Sequence, residues 1–138
     1  MSETLGTLED MFLTTEEEAE LGKWFKLGKF AEVKVRRFSS KKSRAVREAL
    51  ERKYGLNNTT RVSLGKDDQE ELNIQHIAKG ILVDWKGVKD AAGNDVKFTT
   101  EAAVQYLTKL PELRELIAQL SLDIANFRKA ANEEIEGN

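Results

Sequence analysis

The sequence predicts an α+β fold, predominantly helical, in which an N-terminal β-hairpin is attached to a small multi-helix core. Three observations lead there. Ala31, Val33 and Val35 alternate with Glu32, Lys34 and Arg36 just after a Gly28-Lys29 turn, the period of two of a half-buried strand. Three later stretches, 45–54, 74–85 and 113–127, instead space their apolar residues by three and four, as one face of a helix requires. The single proline, Pro111, stands between two helical patterns, at the kind of position where a first helical residue tolerates it and a helix interior does not.

Taken in order, residues 1–22 form an acidic arm with Glu3, Glu9, Asp10, Glu16, Glu17, Glu18 and Glu20 and no lysine or arginine before Lys23. Leu5, Leu8, Met11 and Phe12 make one apolar turn, too short for a stable isolated helix, so the arm is expected to be mobile or weakly docked. A single domain is expected over 23–131, followed by a frayed tail over 132–138. It opens with the hairpin, in which Trp24 and Phe25 are expected to pack in the core or across strands. Ser39 or Ser40 can then cap a helix whose stripe is Ala45, Val46, Ala49, Leu50 and Tyr54, ended by Gly55. The stretch from Leu56 to Lys66 reads as a loop. Asp67 followed by Glu70 reads as a capping box opening the next helix.

Ile74, Ile77, Ala78, Ile81, Leu82 and Trp85 then predict one buried helix ending near Trp85, with Gly87 as its left-handed stop. Gly80 supports a rival reading, since a glycine inside a helix costs ~1 kcal/mol against alanine: the helix ends there and Ile81 to Trp85 is a strand. Beyond Val88, the turn cluster Asp90 to Asn94 lets Val96-Lys97-Phe98 return as a short ribbon, and Thr99 caps the following helix. After Pro111 a long helix is expected, carrying Leu113, Leu116, Ile117, Leu120, Ile124 and Phe127 on one stripe. Leu122 falls off that stripe and is the candidate partner-binding residue.

Composition limits the function. The 138 residues carry a net charge of −2 and contain no cysteine, so no disulfide framework or thiol chemistry is available. No apolar run approaches membrane-spanning length, and the first residues lack the pattern of a secretory signal, so no membrane association is expected. His76 is the single histidine; a Ser-His-Asp triad would depend on it, and its place in the predicted helix suggests a rim or surface side chain. The Asp90 to Asp95 loop lacks the alternating oxygen ligands of a calcium loop. The reading is therefore non-catalytic, without metal or cofactor. Residues 34–53 hold Lys34, Arg36, Arg37, Lys41, Lys42, Arg44, Arg47, Arg52 and Lys53 against Glu48 and Glu51. That segment suits phosphate or nucleic acid, but no DNA-reading motif surrounds it, and the acidic arm is an equally economical counterpart within one chain or between neighbours.

The order Asp84-Trp-Lys-Gly-Val88, Asp90-x-x-Gly93-Asn94, Phe98-Thr99, between two helical patterns, resembles the tail assembly chaperones of long, flexible-tailed bacteriophages. The resemblance covers roughly Ile74 to Phe127. It implies a non-catalytic factor in the host cell cytoplasm, absent from the finished virion, that holds the tape measure protein soluble and helps bring tail tube subunits to it. Many such chaperones are also made in a longer, frameshifted form. Asp84, Trp85, Gly87, Val88, Asn94, Phe98 and Thr99 read as determinants of the fold. Self-association is expected. The alternatives are a nucleic-acid-binding module using 34–53 and a structural head-tail connector.

Overall fold

The computed structural model describes residues 7–13, 15–55 and 65–128. The start of the acidic arm, most of the expected loop from Leu56 to Lys66 and the expected frayed tail over 132–138 lie outside them. The elements are α1 (Leu8–Phe12), α2 (Glu16–Leu21), β1 (Lys23–Leu27), β2 (Ala31–Val35), α3 (Lys41–Lys53), α4 (Lys66–His76), a π-helical turn (Ile77–Ile81), β3 (Leu82–Lys86), α5 (Thr100–Lys109), α6 (Pro111–Leu122) and a 3-10 turn (Ile124–Phe127). The protein is α+β and predominantly helical, with the strands in one antiparallel sheet of order β1-β2-β3.

The predicted hairpin is present. Phe25 stands opposite Val33 and Leu27 opposite Ala31, and Gly28 takes the positive φ of 66° that the turn requires. One sheet face sends Val33, Val35, Leu82 and Trp85 into the core with Ile74, Ile77, Ala103, Leu107 and Ile117. On the other face Trp24 lies under the Lys86 ammonium, 4.0 Å from the ring centroid, while Phe25 meets Phe127 edge-on at 6.2 Å on the core side.

Beyond α4 the rival reading holds, and the single helix over 74–85 does not. The helical phase runs only to Ile81, through a widened π turn, after which Leu82–Lys86 pairs with β2. The stripe misleads for an identifiable reason. Val35 pairs with Leu82 but Lys34 pairs with Asp84, so β3 carries one extra residue, a bulge. That bulge puts Leu82 and Trp85 on one sheet face although they are three apart, which reproduces helical spacing. Gly80 is needed for packing: a Cβ there would stand 3.1 Å from Val46 Cβ and 3.3 Å from Ser43 Cα of α3.

Three smaller expectations also change. The N-cap of α4 is Gly65, without a side-chain bond, so Asp67 lies in the first turn and supports only the dipole. On α3 the buried residues are Ser43 and Leu50, while Ala45 and Ala49 are exposed, because Ser43 turns toward His76. The last helix stops at Leu122; Asp123 breaks it by accepting from the Ala125 amide at 3.0 Å and opening the 3-10 turn. The caps at Ser40 (from Ser43 N, 3.2 Å) and Thr99 (from Ala102 N, 3.0 Å), and the boundary at Pro111, fall where the sequence puts them.

Within the acidic stretch, residues 15–22 are tied to the body. The Thr15 amide donates to Phe127 O at 2.7 Å, the Arg37 amide to Ala19 O at 3.0 Å, and Ala19 is buried.

Candidate functional site

The unit from Asp84 to Thr99 builds a frame around one indole. Trp85 lies opposite Val33 and is buried, and its Nε1–H donates to Val96 O at 2.7 Å. Phe98 and Tyr106 meet its ring edge-on at 5.1 and 5.8 Å. The Asp84 carboxylate accepts from the Trp85 amide at 2.8 Å. Gly87 follows with φ 70°, and a Cβ there would lie 2.0 Å from the Phe30 carbonyl oxygen, so the chain turns under the hairpin tip only because this residue has no side chain.

The ribbon closes next. Val88 O accepts from the Val96 amide at 2.9 Å, and Lys89 and Asp95 form a bridge and an ion pair. Between them Asn94 exchanges bonds with Asp90: the Asp90 amide donates to Asn94 O and the Asn94 amide to the Asp90 carboxylate, both at 2.9 Å. Asp90 Oδ1 also accepts from Ala92 N at 3.0 Å, so this oxygen is committed to backbone amides. No group of side chains suited to a metal occurs among the described residues.

Beside Trp85 the frame leaves an apolar groove of about 300 Å³ between the sheet and the corner of α5 and α6. Leu27, Ala31, Val33, Leu82, Val88, Leu107, Leu113 and Ile117 are among its walls, and Lys89 is the one charged residue lining it among the described residues. Leu110, 42% exposed, forms part of the lip. Such a lining holds apolar side chains and offers little to orient a polar ligand.

The sequence pattern alone does not reveal this groove. Its signal is present in Leu110 and Leu113, apolar residues on both sides of Pro111 at a helix-helix corner, where a solvated turn would be polar. Leu122 is 60% exposed at the end of α6 and lines neither this groove nor the cleft over His76. Its α6 neighbours Glu115 and Gln119 are exposed and polar.

A second cleft of about 280 Å³ lies over His76, lined by Phe38, Arg47, Asn73, Arg114 and Glu115 among others. His76 is buried, not a rim residue. Arg47 Nη1 lies 3.4 Å from Nδ1, and a guanidinium can only donate, so the ring proton resides on Nε2. Nε2 faces Ser43 O at 3.1 Å and Ser43 Oγ at 2.9 Å. A nitrogen that carries the proton is no base toward that hydroxyl, and no carboxylate among the described residues bonds the ring, so this pair lacks the arrangement of a nucleophilic serine site. Burial pushes the imidazole pKa down to about 4; the Arg47 charge acts in the same direction, and the bond to the Ser43 carbonyl opposes both. The pair ties α3 to α4.

The basic segment forms the outer surface of α3, where Lys41, Lys42, Arg44, Arg52 and Lys53 are exposed. No described helix is long and apolar enough to cross a membrane.

A family model described as the YdaY prophage protein matches residues 35–138. The chain belongs to the YdaY prophage protein family. It is accordingly phage-derived. The YdaY match begins at the last residue of β2 and spans the whole Asp84 to Thr99 unit together with α5 and α6, so it includes most of the groove walls. No curated protein and no solved structure matches the chain.

Proposed function

We propose that this YdaY family member is a tail assembly chaperone, which holds the tape measure protein soluble in the host cytoplasm, helps recruit tail tube subunits, and is absent from the finished virion. The observation that carries the reading is the apolar groove framed by the tail-chaperone-like unit Asp84 to Thr99, in a chain of phage origin. A tape measure protein is long and helical, and its apolar stripes aggregate unless covered. A groove lined by leucine, valine and tryptophan with one charged residue takes the anchor side chains of such a helix, and neighbouring exposed lysines keep the complex in solution. Exposed Leu122 is a second contact at the far end of α6.

Coexpression with the phage's tape measure protein tests the role and locates the surface. Wild type is expected to bring that protein into the soluble fraction. Leu110→Asp, at the groove lip, is expected to reduce the soluble yield several-fold while the chaperone itself stays folded; Leu122→Asp reports on the second contact. Loss with Leu122→Asp alone would move the client to the end of α6. A tape measure protein left insoluble by the wild type would end the chaperone reading.

A further inference from the structure

We infer that the protein assembles head to tail, with the acidic N-terminal helices α1 and α2 of one copy docking on the basic helix α3 of the next. The two surfaces have opposite charge, and among the described residues no ion pair joins one to the other. Glu9, Glu16 and Glu17 are exposed on the first, and Lys41, Lys42, Arg44 and Arg52 on the second. The ion pairs among the described residues are Arg47–Glu51, Lys89–Asp95 and Arg114–Glu70, and none joins the acidic helices to α3. Glu20 does reach α3, but its carboxylate accepts from the Lys41 backbone amide at 2.9 and 3.1 Å and leaves the lysine side chain unpaired. Within one chain α2 therefore sits at the N-terminus of α3, and the side chains of Glu9, Glu16, Glu17, Lys41, Lys42, Arg44 and Arg52 stay exposed.

α1 adds the apolar component such a contact needs. Leu8 and Phe12 are 72% and 55% exposed on the same short helix as Glu9, an area that self-association would remove from water. The donor and acceptor surfaces are different patches of the chain. Copies that each offer one patch to a different neighbour extend head to tail into a chain or ring. Charge steers the encounter and the apolar side chains hold it. The assembly stands on these surfaces alone and does not depend on the chaperone reading.

Charge exchange tests it. One variant carries Glu9→Lys, Glu16→Lys and Glu17→Lys; the other carries Lys42→Glu, Arg44→Glu and Arg52→Glu, with circular dichroism confirming that both are folded. In sedimentation at low salt the wild type is expected to grow with concentration, and raising the salt weakens that growth at least about tenfold, because screening shortens the reach of the charges. Each variant alone is expected to be monomeric, and an equimolar mixture to assemble again. A wild type that stays monomeric at every concentration in low salt overturns the inference. So do oligomers that neither variant disturbs, and so does a monomer whose α3 charges instead retain it on duplex DNA.

Discussion

Trp85→Ala is expected to destabilise the protein by about 3–5 kcal/mol, the range for removing a buried tryptophan, and so to take much of the stability of a chain this size. The loss has identifiable parts. The indole is 7% exposed and fills the junction of β3, the returning ribbon and α5. Its removal empties the space between Phe98 and Tyr106 and leaves Val96 O without the Nε1 donor at 2.7 Å. Urea denaturation of the two proteins checks this. An unchanged midpoint would show that the frame around the groove does not depend on Trp85, and would remove the account of why Asp84 to Thr99 forms one unit.

The second large effect is a loss of stability in acid through one residue. His76 is neutral in the folded state with its pKa near 4, whereas an unfolded histidine titrates near its ordinary value of 6.5. The folded pKa is depressed, so the unfolded chain binds the extra proton first. The contribution is complete above pH 6.5 and declines as pH falls from 6.5 toward 4. The full shift corresponds to at most about 3 kcal/mol, and the partial solvation of the cleft over the ring reduces that figure. Because His76 is the only histidine, its ring proton resonances are unambiguous. They are expected to hold still through pH 6.5 and to move only near pH 4. A ring that titrates at 6.5 would contradict the burial of His76 against Ser43 and Arg47.

Those two residues show what the sequence made legible and what it did not. The hairpin, the caps at Ser40 and Thr99 and the boundary at Pro111 are local, set by side chains within a few residues, and pattern alone places them. The fate of 82–86 is not local. Its bulge gives Leu82 and Trp85 helical spacing on a strand, and only the partner strand β2 decides between the two. His76 is similar: the expected surface position followed from its own helix, whereas its burial is imposed by Ser43 and Arg47 of α3, distant in sequence. The groove was beyond reach for the same reason, since Leu27, Val88 and Leu113 come from three separate elements or loops. The Asp84 to Thr99 order was visible because the whole unit is contiguous.

The most direct test of the central claim, that the groove beside Trp85 holds the tape measure protein, is site-specific photo-crosslinking in cells that coexpress the two. A photoreactive side chain replacing Leu110 at the lip is expected to give an adduct with the tape measure protein on irradiation, and one replacing Glu48 on the outer surface of α3 to give none. A tape measure protein that is soluble yet never crosslinks from Leu110, or that crosslinks equally well from Glu48, would contradict the account.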